Sequence, residues 1–274
     1  MLALVVAVPA GESELAADAL WSLGVVAIEE RDADVGIADH YVELWTSLGD
    51  DAEAIARAAE GFPARWRWRL VEVDESVADT WRAHVTPTWV ADDLVICPAW
   101  IPFDDRQGVT VLRIEPGATF GLGNHPTTVL TMRAMRASLF PGATVLDVGC
   151  GSGVLGVAAC AFGAGRVDAI DLSPAAVAAT DDNAARNGVA GRISASTTPV
   201  DDLRDSYDVV VANILAPALI GMAAELRRVL APGGVLVISG VLADRFDHVV
   251  DALAPLQVIV VDRLENWAAV TLRW

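Results

Sequence analysis

The chain has 274 residues, room for one large or two modest domains. It is 54% hydrophobic and carries a net charge of −18, with 19 basic residues that are all arginine. That balance excludes a general nucleic-acid binder, which needs a basic face, and suits a basic partner steered in by the opposite field.

Cys97, Cys150 and Cys160 have neither metal spacing nor the pattern of a disulfide framework, so no metal site is expected and a reducing cytoplasm fits. The opening stretch LALVVAVPA is apolar but short, lacks a basic lead and soon meets Glu12 and Glu14. It reads as a strand, not a signal peptide, and no apolar run is long enough to span a membrane.

Leu2–Val8 is the first expected strand, and Ser13–Leu23 a helix with Leu15, Ala19, Leu20 and Leu23 on one face. Val25–Glu30 and Tyr41–Trp45 follow as strands. Asp50–Glu60 is a second helix and Trp66–Val73 a fourth strand. The order β-α-β-β-α-β is the ferredoxin-like split unit. Residues 1–75 hold 16 acids against 5 arginines, so −11 of the −18 lies there. No catalytic cluster accompanies this charge, which suggests a docking domain. Residues 76–108 read as a linker or junction rich in aromatic side chains (Trp81, Trp89, Trp100, Phe103). Glu75–His84 is a short helix within it, and Trp89–Val90 and Leu94–Cys97 are strands.

The third segment, 109–274, opens with strand Val109–Ile114 and a loop, Glu115 to Thr128, with glycines on both sides of Leu122. Such a loop can close over a ligand, bringing Phe120 and Gly121 to it. Thr128 stands at the expected start of a helix to Leu139, where its hydroxyl can cap the helix or meet a ligand. His125 is either a base or, more simply, a loop hydrogen-bonding group.

Val145 to Gly156 reads VLDVGCGSGVLG, a strand, a glycine turn at Gly149, Gly151 and Gly153, and a helix. Glycine there allows positive φ and removes the Cβ between backbone and ligand. Gly151, Gly153 and Gly156 also satisfy the dinucleotide spacing G-x-G-x-x-G, leaving a nicotinamide oxidoreductase as a competing reading. Asp147 argues against it. A carboxylate at that strand end repels a pyrophosphate and favours an ammonium or sulfonium, both carried by S-adenosylmethionine.

The strand Arg166–Leu172 carries Asp171, 22 residues beyond Gly149, where a carboxylate can accept ribose hydroxyls. A helix from Pro174 through Asn187-Gly188 and a strand at Arg192–Ala195 follow. Asp201-Asp202 reads as surface charge first and as a contact for an adenine amino group second. Tyr207–Ala212 is a continuous apolar strand, as a central parallel strand should be. Asn213 at its carboxyl end can orient an amine or cap a helix. Ala218–Leu230 is a helix, Pro232-Gly233-Gly234 a turn, Val235–Ser239 a strand and Asp244–Leu253 a helix. Val258–Val261 and Ala268–Arg273 close the chain as a hairpin.

These residues resemble the PrmA family, methyltransferases of protein eleven of the large ribosomal subunit. The likeness rests on IEPGATFGLGNHPTT, LDVGCGSGVLG, AIDLSP, DNAARNGV and VVANILA. It implies a seven-stranded Rossmann-like class I methyltransferase sheet beside a small N-terminal ferredoxin-like α+β domain. It also implies S-adenosylmethionine as cofactor, with contacts at Thr128, Gly149, Asp171 and Asn213; Phe120, Gly121, Asp147, Gly151 and Gly153 complete the expected cofactor site. Asn213 would be the catalytic residue, and the implied reaction is N-methylation of lysine, and also of an N-terminal amine, on a basic ribosomal protein, with no nucleic acid or membrane involved. Two alternatives share the fold: methylation of another protein or small amine, and a non-catalytic cofactor-binding module.

Overall fold

The computed structural model describes residues 2–23, 25, 28–32, 41–46, 48, 51–72, 85–104, 107–116 and 121–274. The expected short helix before Val85 and the site residue Phe120 lie outside them. The chain divides into two compact units, Met1–Val85 and Thr86–Trp274.

The first unit runs β1 (Leu2–Pro9), α1 (Ser13–Ser22), β2 (Glu29–Asp32), β3 (Tyr41–Thr46), α2 (Ala52–Ala59) and β4 (Arg67–Glu72). Its sheet order is β2-β3-β1-β4, antiparallel throughout. With this connectivity it is the split β-α-β-β-α-β arrangement expected from the sequence. Alternation along β1 sends Leu4, Val6 and Val8 to the core, where they meet Leu44, Ala16, Leu20 and Ile55. Asp51 caps α2 by accepting from the Glu53 and Ala54 amides, both at 3.0 Å.

The other face of this sheet carries a polar network. Val5 of β1 lies between Trp45 and Arg69 in register. Arg31 stacks on Trp45, 4.3 Å from the ring centre. Arg69 grips both oxygens of Glu43 at 2.8 and 3.0 Å, and the Trp45 indole donates to Glu43 at 3.0 Å. Glu43 is only 6% exposed, and the Arg69 hydrogen bonds hold its carboxyl below the usual range despite the burial.

The second unit begins with a small sheet of β5 (Thr88–Ala91), β6 (Leu94–Pro98) and β7 (Thr110–Ile114). Residues 86–108, read in the sequence as part of a junction, thus supply two strands of this unit. Then come α3 (Pro126–Ser138), β8 (Thr144–Val148), α4 (Val154–Ala161), β9 (Arg166–Ile170), α5 (Pro174–Arg186), β10 (Ile193–Ser196) and β11 (Tyr207–Asn213). The chain closes with α6 (Ala216–Gly221), α7 (Ala223–Arg228), β12 (Leu230–Leu242), α8 (Asp247–Ala252), β13 (Gln257–Leu264) and β14 (Trp267–Arg273). The large sheet has the order β10-β9-β8-β11-β12-β14-β13. β14 is inserted antiparallel between β12 and β13, and β8 to β12 pair in parallel.

Both faces of this sheet are covered, so alternate residues feed two cores. Val145, Val167, Val209, Val211, Val235 and Val237 pack on one side with Met132, Met135 and the buried side of α4. Leu146, Val148, Ile170, Val210, Leu236 and Ile238 pack on the other with Leu219, Leu226 and Val249. The expected single helix Ala218–Leu230 is instead α6 and α7, broken at Met222 just after Gly221, a poor helix former.

Replacing Glu43 with Gln should destabilise the first unit by about 1 kcal/mol at pH 7, the scale of a charge-assisted bond to a half-exposed arginine. Because the folded carboxyl sits below its ordinary value, this stability is present above that value and is lost as pH falls through the lowered one. Hydrogen exchange of the β1 amides in both proteins should therefore converge in acid. A gap that does not change with pH would contradict the assignment.

Candidate functional site

β8 ends at Val148, and the chain turns through Gly149, Gly151 and Gly153 at φ of 74°, 54° and 75° before α4 begins. A Cβ on Gly149 would sit 2.4 Å from Ile214 Cγ2, and one on Gly153 would sit 2.7–2.9 Å from Thr180. Only glycine fits this path. The turn is fastened to the end of β9, where the Ile170 carbonyl accepts from the Gly149 and Cys150 amides at 2.8 and 3.1 Å.

Asp171 continues this fastening. Its Oδ2 accepts from the Gly151 amide at 3.0 Å and its Oδ1 from the Ser173 amide at 2.9 Å. Each carboxylate oxygen has a second lone pair, so Asp171 can hold the turn and still accept ribose hydroxyls. The strand was expected to continue through Leu172, but it ends at Ile170 and leaves Leu172 86% exposed. An aliphatic side chain so exposed beside Asp171 leaves an apolar surface next to the turn.

Asp147 lies under the turn and is fully buried. One oxygen accepts from the Gly156 amide at 3.1 Å, and the other, Oδ1, has no hydrogen-bond partner among the described residues. Desolvation pushes its pKa up to about 7, with the nearby charge of Asp171 adding to the shift and the Gly156 bond opposing it. The expectation of a carboxylate facing a cationic ligand is thus sharpened to a buried acceptor with one side unsatisfied. Cys150, by contrast, is no nucleophile, since burial pushes its thiol up to about 12.

Two local readings change. Thr128 is not a helix cap, because α3 starts at Pro126 and is capped by His125, whose Nδ1 accepts from the Thr127 amide at 3.3 Å. The same nitrogen lies 2.7 Å from the Thr127 hydroxyl, and the ring meets Trp267 edge-on at 4.9 Å. His125 is therefore a structural group, as the simpler reading had it, and burial lowers its pKa. Nor is Asn213 a cap, because the cap position of α6 is Leu215. Released from those roles, the two side chains meet. Asn213 Nδ2 donates to Thr128 Oγ1 at 3.4 Å, and Thr128 is almost wholly buried. Since Ala212 pairs with Val148, Asn213 stands level with the first residue of the glycine turn.

Gly121 adopts φ 109°, and its carbonyl accepts from the Ser152 hydroxyl, which fixes the end of the loop against the turn. Asp201 and Asp202 are exposed, consistent with surface charge. Among the described residues no group of acids, cysteines and histidines is placed to hold a metal ion.

A parallel sheet with an inserted antiparallel strand, a glycine turn at its switch point and an amide at the next strand end define a Rossmann-like methyltransferase. A family model described as ribosomal protein L11 methyltransferase (PrmA) matches residues 3–274, and the chain belongs to that family. A ribosomal protein L11 methyltransferase of Geobacter sulfurreducens is 37% identical, covering 97% of this chain and 95% of that protein. Its namesake in Geobacter metallireducens is 45% identical over 178 residues, 65% of this chain and 58% of that relative, so the chain spans under two thirds of the latter. A crystal structure of a ribosomal protein L11 methylase from Lactobacillus delbrueckii is 31% identical with a TM-score of 0.65, covering 69% of this chain and 98% of that one.

The raised pKa of Asp147 has a stability consequence. Between about pH 4 and 7 the native chain keeps a proton that the unfolded chain has released, so stability falls as pH rises across that window and levels off above it. The slope from this group approaches about 1.4 kcal/mol per pH unit. Urea unfolding at stepped pH should show the slope in wild type and lose it in Asp147→Asn. Equal slopes in the two proteins would contradict it.

Proposed function

We propose that this chain uses S-adenosylmethionine to methylate lysine ε-amines, and an N-terminal amine, of ribosomal protein L11. Family membership supports the target, and the pairing of Asn213 with Thr128 beside the glycine turn carries the chemistry. The residues fit the cofactor: a left-handed turn at Gly149, Gly151 and Gly153 with no Cβ on its backbone, and a buried oxygen of Asp147 that lacks a donor among the described residues.

Bound there, S-adenosylmethionine supplies a methyl group already activated on a sulfonium. Gly149, Gly151 and Gly153 let the backbone approach its methionine part, and Asp147 offers the unsatisfied oxygen toward its cationic end. Asp171 would accept from the ribose, Leu172 would cover the base, and Gly121 would stand at the end of the neighbouring loop. The remaining work is positioning. Thr128 holds Asn213 by its Nδ2, so Oδ1 is the acceptor that takes an N–H of the incoming amine and aims its lone pair. The amine must arrive neutral, and desolvation at the site lowers a lysine pKa in that direction. His125 is committed to capping α3, so no side-chain base is assigned to the proton.

The first unit, Met1–Val85, serves for docking and the second, Thr86–Trp274, for methyl transfer. The concentration of acid in the first suits a basic ribosomal protein. No helix among the described residues is long and apolar enough to cross a membrane, and a cytoplasmic location fits three free thiols and a ribosomal target.

Intact mass of purified ribosomal protein L11 after incubation with this chain and S-adenosylmethionine should rise in whole-methyl increments, and fragmentation should find them on amines. No increment, with cofactor binding confirmed, would overturn the target and keep the fold. Asn213→Ala should lower kcat by about 10²-fold, the scale of losing one aligned hydrogen-bonding group at a reacting centre. Undiminished turnover would remove Asn213 from its role.

A further inference from the structure

The stretch DNAARNGV carries part of the family likeness, yet none of its residues holds the cofactor in the reading above. Thr180, Asn183 and Asn187 are three and four apart along α5 and its carboxyl end, so they share one face. That face is committed to backbone. Asn187 Oδ1 accepts from the Arg113 amide at 2.9 Å and its Nδ2 donates to the Arg113 carbonyl at 2.8 Å. One turn earlier Asn183 repeats the pattern two residues along the chain. It accepts from the Glu115 amide at 2.9 Å and donates to the Glu115 carbonyl at 2.8 Å. The two carboxamides thus act as a neighbouring strand for the outer edge of β7 and its continuation.

Asn183 has one bond of a kind that Asn187 lacks. Its Nδ2 also donates to the Ser152 carbonyl, inside the glycine turn, at 2.9 Å. Ser152 in turn gives its hydroxyl to the Gly121 carbonyl. Glu115 and Gly121, the two ends of one loop, are therefore tied to the same residue of the turn, one through Asn183 and one directly. Thr180 steadies the turn from the same helix face by donating to the Gly151 carbonyl at 3.2 Å. Asn183 is fully buried, so water cannot replace any of these bonds. A carboxamide is the one side chain of this length that reads both polar groups of a single residue and has a donor left for a second.

We propose that Asn183 is a positioning residue for the cofactor, acting through Ser152 to fix Glu115 and Gly121 against the glycine turn. Asn187 holds β7 and, by a bond from its Nδ2 to the Asn183 carbonyl at 2.8 Å, the end of α5, and makes no bond to the glycine turn among the described residues. The proposal rests on the reading of the turn as a cofactor site. It also gives the DNAARNGV segment of the family likeness a task distinct from ligand contact.

Calorimetric titration with S-adenosylhomocysteine, which binds without turnover, separates the two roles. Asn183→Ala should raise its Kd about tenfold, and Asn187→Ala should leave it within about threefold while lowering Tm comparably, since each loses buried backbone partners. Ser152→Ala removes one hydroxyl, should fold, and should raise Kd about fivefold. The double variant Asn183→Ala with Ser152→Ala should weaken binding by less than the product of the single effects, because both act on one loop. Equal Kd for Asn183→Ala and Asn187→Ala would overturn the proposal alone, as would an unchanged Kd in Ser152→Ala should Asn183→Ala fail to fold. No binding by wild type would overturn the cofactor reading and the proposal with it.

Discussion

At Gly149, Gly151 and Gly153 the backbone takes left-handed values that let it leave β8 and enter α4 by a path closed to side chains. A turn of this kind leaves many peptide groups without helix or strand partners, and it sits at the edge of a dry core, where each unpaired group costs about 1–3 kcal/mol. The rest of the unit is arranged to pair them. The end of β9 takes the Gly149 and Cys150 amides, Asp171 takes Gly151, Asp147 takes Gly156, and α5 takes the carbonyls of Gly151 and Ser152. Polar residues buried in this region are thus explained by the turn they hold. Their burial is tolerated because nearly all of their own groups are satisfied in the process.

Asp147 is the exception, and its position shows why. A fully buried carboxylate with one oxygen unsatisfied is unfavourable in the chain alone, and its raised pKa expresses that cost. In the proposed function a cationic ligand at the turn would relieve it by supplying the missing partner and favouring the ionised form. Asp171, with both oxygens already accepting from amides, has no comparable deficit.

Much of this was legible in the sequence. Strands β8, β9 and β11 announce themselves by continuous apolar runs because both faces of the sheet are covered, and the alternation that divides Val209 from Val210 follows from the pleat. The positions of Asp147, Asp171 and Asn213 at the carboxyl ends of β8, β9 and β11 were legible because those apolar strands are. Other features were hidden where one residue suits two local structures. Thr128 and Asn213 each suit a cap, and only the tertiary fold, by giving the cap of α3 to His125, brings them together. Pro232-Gly233-Gly234 does not make the expected turn: Leu230 before it and Val235 after it both pair with β11, so it interrupts one long strand as a bulge. Leu172 looked like more strand because an exposed aliphatic residue has the same sequence signature as one buried in a sheet.

The division between legible and hidden residues follows the kind of work each does. A methyl already activated for transfer asks little of an acid or base, so the enzyme's contribution is to hold two partners in line. Residues that touch a ligand must match its chemistry, and the sequence carries that match. Residues that hold backbone need only a donor and an acceptor at the right place, which many polar residues on many helices could offer. Asn183 and Ser152 belong to this second kind. Their positions are fixed by a loop from one strand meeting a turn from another, a relation between segments 31 and 68 residues apart. In a reaction governed by alignment, the proposed roles of Asn213 and the glycine turn would depend on the geometry such residues set.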